Sequence, residues 1–215
     1  MLRNVGTLAA AAALALVAFV PVAHGAGASE AAAGDAALVL APGSRLWLEG
    51  DSTLHKYKAE ASGLRLVTKV APEATAKSLA DLATAGQLQA LQLTVPAKKL
   101  TSGDGALDKN MWKALHAEAH PDIVFKLDSY KAQPGADGQS LDVRVMGRLT
   151  VAGTEKPVEV GVRAFRSGNG LRLIGNKELL MSDFSVTAPV LMGGMIKTDN
   201  KVVIRFDLKL RPRTP

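Results

Sequence analysis

Alternation between Leu141 and Val162 restricts what this chain can fold into more than any other feature. Leu141, Val143, Val145, Leu149 and Val151 occupy odd positions, with Asp142, Arg144, Arg148 and Thr150 at even ones. Neighbouring side chains of a strand point to opposite faces, so the segment has one apolar face and one solvated face. After Gly153, Thr154, Glu155, Lys156 and Pro157, the apolar set resumes as Val158, Val160 and Val162, with Glu159 and Arg163 opposite. The pattern predicts two half-buried antiparallel strands joined by a turn. A packed core and the wall of a ligand cavity would leave the same inward apolar face.

The same period recurs along the chain. Strand character runs over Arg45–Thr53 and Lys56–Val70, the latter interrupted at Gly63, and over Leu91, Leu93 and Val95 before Pro96. It returns at Ile123, Phe125 and Leu127, and at Ile204, Phe206, Leu208 and Leu210, preceded by a predicted turn at Thr198–Asn200. Helical spacing joins Leu107, Met111, Ala114 and Leu115, and a second, Ala-rich helix is predicted over Glu73–Ala85. Eight or nine strands separated by turns predict an all-β antiparallel barrel or sandwich with one or two short helices.

Residues 1–28 differ in kind: Arg3, then an uncharged run from Leu8 to Val20, then small residues at Ala23, Gly25, Ala26 and Ala28. This is the layout of a secretory signal peptide, with cleavage after Gly25 or Ala28; the run is shorter than the roughly 20 residues of a membrane-spanning anchor. Residues 29–40 are expected to be a flexible leader and 41–215 a single domain, with Arg211–Pro215 unable to extend a central strand. The chain has no cysteine, which excludes disulfides, thiol nucleophiles and thiolate metal sites and agrees with a periplasmic location. Net charge is +6, or +5 without Arg3, but acids are interspersed with the bases and only 4% of residues are aromatic. Nucleic acid is therefore not expected as a partner.

Candidate catalytic chemistry is sparse. His116 and His120 are four apart and, with His55, could form a metal-dependent hydrolytic site if they met in space. Asp51, Ser52 and His55 hold the residue types of a hydrolytic triad, yet lie almost consecutively on a strand and its turn, where side chains diverge. Ser182 lacks a nucleophile elbow, and there is no glycine-rich phosphate loop. No cofactor, catalytic group or metal site is expected.

Gly147-Arg148-Leu149-Thr150-Val151-Ala152-Gly153-Thr154-Glu155-Lys156-Pro157-Val158 resembles the G-x-L-T-x-x-G-x-x-K-P-V signature of the YceI-like family of polyisoprenoid-binding proteins. Asp51–His55, Asp108–Met111 with His120–Phe125, and Met181–Phe184 resemble further family segments in the same order, between about Arg45 and Leu210. Ala71–Gly86 departs from the pattern as an insertion, and Gly103–Ala106 replaces an Arg-Asp-His-like run. The resemblance implies a lipocalin-like antiparallel β-barrel of about eight strands with a long apolar pore. It further implies an exported, non-catalytic protein that sequesters or carries a polyisoprenoid or similar lipid.

On this basis Leu93, Phe125, Leu127, Val143, Val145, Leu149, Val158, Val160, Ile204 and Phe206 are expected to form the ligand-binding wall. Lys98, Lys99, Lys109 or Lys113 would hold an anionic head, if they are not simply solvated. The partners expected are a long-chain isoprenoid or quinone-like ligand, a transient membrane contact and a second copy in a homodimer. Each isoprene unit of about five carbons would gain roughly 3 to 4 kcal/mol on burial before ordering costs. The alternatives are the metal-dependent hydrolase using His55, His116 and His120, and a ligand-free structural or stress-related interaction module.

Overall fold

Strict alternation gives long antiparallel strands, and the twist of such strands curls the sheet they form. A computed structural model describes residues 38–70 and 87–213; the predicted signal peptide, most of the leader and the predicted helix over Glu73–Ala85 lie outside the described residues. Twelve strands, β1 (Leu38–Leu40), β2 (Arg45–Ser52), β3 (Tyr57–Ala61), β4 (Arg65–Val70), β5 (Leu88–Pro96), β6 (Leu100–Thr101), β7 (Asp122–Pro134), β8 (Ser140–Val151), β9 (Thr154–Ser167), β10 (Gly170–Leu180), β11 (Val190–Leu191) and β12 (Ile196–Pro212), form one sheet. Helix α1 covers Gly105–Ala114.

Hydrogen bonding follows the order β4-β5-β7-β8-β9-β10-β12-β2-β3-β6, with β1 and β11 also on β12. The ends of this path are tied together by the chain: β3 bends at Gly63 (φ +65) into β4, and β5 passes through the 3-10 turn Ala97–Lys99 into β6. At the other end of β4, buried Thr68 accepts from the Leu38 N–H (3.0 Å) and donates to the Leu38 carbonyl (3.1 Å). The curled sheet is thus a lipocalin-like barrel of about eight staves, three of them made of two strands in succession.

Expected segments shift in three places. Leu38–Leu40, assigned to the leader from its composition, is strand β1, and Leu38 is buried at 1% exposure. Arg211 and Pro212 do extend a strand, because they face Val39 and Leu38 across the ladder. Thr198–Asn200 is not a hairpin turn but an irregular stretch inside β12, where the register with β2 slips between Thr198 and Val202. The chain reverses earlier, at Met192–Gly194, where Gly193 and Gly194 have φ of +64 and +102.

Helix α1 starts at Asp104, whose carboxylate accepts from the Ala106 and Leu107 N–H groups. Those bonds favour the ionised form and hold its carboxyl below the ordinary value. Buried Asp108 anchors the preceding loop through the Ser102 N–H and hydroxyl, both at 2.7 Å. The helix ends at Leu115, short of Pro121, and His116 is left-handed (φ +51).

Inward-facing strand glycines make room for aromatic rings, Gly50 for Tyr57 among them. A Cβ at Gly147 would run into the Phe125 ring and the Lys126 carbonyl, and one at Gly175 into the Phe206 ring and the Gly161 carbonyl; one at Gly161 would meet nothing. Gly147→Ala and Gly175→Ala should each cost about 1–3 kcal/mol in urea unfolding, because the clash includes backbone. Gly161→Ala should change stability by less than about 0.5 kcal/mol.

On the outer face, Asp207 accepts two hydrogen bonds from Arg172, at 2.8 and 2.7 Å. The bonds from Arg172 and its charge hold the Asp207 carboxyl below the ordinary carboxylate range. A depressed folded pKa contributes stability above the unfolded value, and that contribution is lost as pH falls through the folded one. The stability difference between wild type and Asp207→Asn, followed by urea titration, should therefore be constant from neutral pH to about pH 5 and shrink below about pH 4.

Candidate functional site

Register places the odd residues of β8 and the even residues of β9 and β12 on the inner face, and a β7 irregularity between Leu127 and Ser129 brings Tyr130 inward opposite Val145. Tightly packed residues gather at the two ends of the barrel. Leu38, Leu171 and Leu210, with Leu40, Leu66 and Leu173 against them, close one end. Val158, Phe184 and Val186, supported by Ala114 and Leu115 of α1 and by Met181, close the other.

Between them lies a cavity of about 320 Å³. That size falls in the range of roughly 300 to 1,000 Å³ typical of small-molecule sites. Leu93, Phe125, Leu127, Val143, Val145, Leu149, Val158, Val160, Ile204 and Phe206 all line it. All of these except Val158 keep accessible surface, being half-buried rather than fully buried as a packed core would make them.

Four lining residues carry polar atoms: Tyr57, Tyr130, Thr198 and Lys177. Tyr57 lies over Gly50, and burial, with Asp199 and Asp51 adding to it, raises its phenol pKa. The Leu88 N–H donates to the Tyr130 hydroxyl at 3.3 Å. Among the described residues Lys177 is the one charged residue that lines the cavity, and it is not among the lysines expected to meet a head group. Lys98 instead pairs with Glu118 at 2.6 Å, and neither Lys99, Lys109 nor Lys113 borders the cavity. The signal for Lys177 was legible, since Leu171, Leu173, Gly175, Lys177 and Leu179 share one strand parity against Arg172, Asn176 and Glu178.

The histidines do not assemble. His55 is exposed, with Nδ1 2.9 Å from the Lys56 carbonyl oxygen, and the His120 ring lies against Gly153. His116, with φ +51, lies beyond the end of the helix, and the His120 N–H bonds back to its carbonyl at 2.9 Å. Among the described residues, no group of three His, Asp or Glu side chains is placed to hold a metal ion. Ser52 is committed to its turn: its hydroxyl donates to the His55 carbonyl and accepts from the Leu54 and His55 N–H groups. Ser182 is clasped by Asn200, whose amide donates to the Ser182 hydroxyl at 2.8 Å and accepts from the Ser182 N–H at 2.9 Å. That clasp seats the 3-10 turn Met181–Phe184, whose buried Phe184 helps to seal the barrel end.

Solved structures share this architecture. Burkholderia cenocepacia BcnA is 18% identical, with a TM-score of 0.57 over 77% of this chain and 95% of its own. A polyisoprenoid binding domain from Saccharophagus degradans, implicated in plant cell wall breakdown, is 14% identical, with a TM-score of 0.57 over 83% of this chain and 99% of its own. The Campylobacter jejuni YCEI protein is 13% identical, with a TM-score of 0.52 over 73% of this chain and 85% of its own. At such identities the likeness is one of fold. No curated protein matches the chain in sequence. The model of the YceI-like domain matches residues 54–210, most of the chain and all of the barrel from the β2–β3 turn to the inward end of β12, and the protein belongs to the YceI-like family.

Proposed function

We propose that this protein is an exported, non-catalytic carrier that holds a polyisoprenoid or similar long apolar lipid inside its barrel. The observation that carries this reading is the cavity itself: an interior walled by Leu, Val, Ile and Phe whose side chains are packed at the two ends and left accessible between them. Apolar surface facing an internal space is stabilised by an apolar occupant, at about 0.8 kcal/mol for each CH₂ buried. The polyisoprenoid binding domain from Saccharophagus degradans supports the same class of ligand. Export, to the periplasm, is supported by the charged, apolar and small-residue regions of residues 1–28.

Loading and unloading such a ligand call for brief contact with a membrane. Leu54, Val190 and Met195 are 65%, 58% and 71% exposed at the rim of the barrel, where the Thr53 hydroxyl donates to the Met195 carbonyl and joins the two turns that carry them. Apolar side chains at such a tip suit shallow insertion among lipid headgroups.

Mass spectrometry of protein purified under mild conditions from its native compartment is expected to find a co-purifying isoprenoid lipid, and protein without lipid would refute the carrier role. Delipidated protein should melt roughly 5 to 10 °C lower than protein holding ligand at about a hundred times its Kd. Val160→Glu, which places a carboxylate in the apolar wall, should lower lipid occupancy at least about tenfold while circular dichroism stays that of the wild type.

A further inference from the structure

The barrel wall is interrupted between β9 and β10. Their ladder runs from Ser167 opposite Gly170 to Gly161 opposite Asn176 and stops there, although β9 reaches back to Thr154 and β10 on to Leu180. Both strands remain paired on their outer sides, β9 with β8 and β10 with β12. A cleft of about 480 Å³ occupies the gap, and Val158, Lys177, Leu179, Leu180 and Phe184 border both it and the interior cavity. The gap therefore lies directly beside the apolar interior, with a polar outer surface on its other side, and the packed Val158 and Phe184 form part of the boundary between them.

Charges in the cleft are unevenly committed. Lys201 pairs with Glu178 at 3.7 Å, and Glu159 with Arg144 at 3.2 Å. Of the remaining charged groups there, Lys156 and Lys177 face a single acid, Asp183, and none of the three has a hydrogen bond or ion pair among the described residues. Among the described residues, Lys177 alone of the charged ones borders both compartments. A lysine whose stem borders an apolar wall, and which has no ion pair in the polar cleft it also borders, is suited to a compact anion on the end of an apolar chain.

We infer that the β9–β10 gap is the head-group subsite, and that Lys177 selects ligands whose isoprenoid chain ends in a phosphate over those ending in a neutral alcohol. The inference rests on the carrier role proposed above. Geranylgeraniol and geranylgeranyl phosphate are the probes, with binding to the delipidated full chain measured by calorimetry. Wild type should bind the phosphate about tenfold tighter than the alcohol, as a charge-assisted hydrogen bond in a partly screened site provides.

Lys177→Met should remove the preference, so that the phosphate binds no tighter than the alcohol does, and Lys177→Arg should keep the preference. Lys156→Met, outside the cavity wall, should have the smaller effect. Equal wild-type affinities for the two probes, or an equal loss of both in Lys177→Met, would overturn the head-group assignment and leave the carrier role standing. Displacement of the phosphate probe by excess inorganic phosphate would assign the cleft to free anions instead and also overturn it. Binding of neither probe would remove the carrier role and this inference together. The wild-type comparison requires no variant, so a folding defect in Lys177→Met would not spare the proposal.

Discussion

The backbone ladder along Ile196–Pro212 is the constraint on which the barrel depends. One edge of this strand is bonded to β10 from Leu171 to Leu180, and the other to β2 and then β1, so it joins the two halves of the wall. Because side chains alternate, fixing that ladder sends Val202, Ile204, Phe206, Leu208 and Leu210 inward at once and Arg205 and Asp207 outward. A slip of one residue would turn every apolar group to water, and the transfer cost of those side chains holds the register. The outer ion pairs, Arg205–Glu49, Arg172–Asp207 and Arg148–Asp128 among them, decorate this arrangement; exposed pairs of this kind contribute little on their own.

A barrel of this size holds a space only if its side chains do not fill it. Here the filling is uneven. Leucines of β1, β10 and β12 pack one end, and Phe184, Val158 and Val186 with the end of α1 pack the other. The Phe125 and Phe206 rings occupy the space over Gly147 and Gly175 on neighbouring strands. Strand glycines usually weaken a sheet, and at these two positions the aromatic ring supplies the cover that a side chain would have given. The middle of the barrel consequently stays open, with an apolar wall.

Much of the fold was legible because a half-buried strand is a local pattern. The hairpin from Leu141 to Val162 forms as its alternation predicts, and the bend at Gly63 and the helix over Leu107–Leu115 lie where glycine and helical spacing put them. Less was legible where the partner decides. Leu38–Leu40 is too short to show a period and becomes a strand because β12 extends far enough to pair with it. Arg211 and Pro212 are strand residues for the same reason, at a sheet position where the missing proline N–H is tolerated. His116 and His120 carry metal-like spacing, but among the described residues the fold brings no third ligand to them.

The sequence by itself determined the inward face, residue by residue, since period-two alternation is a property of the strand alone, and the family motif around Gly153 pointed to the same wall. The parity of Lys177 with Leu171, Leu173 and Leu179 carries the same information, although the lysines expected at a head group were others. Only the tertiary structure decided that the face surrounds a space, because hollowness depends on which side chains meet across the barrel and which fill the space over a glycine. It alone decided, too, that β9 and β10 part beyond Gly161 and Asn176. Two strands can each carry a perfect pattern and still part, and here a lysine that strand parity turns inward lies beside the gap.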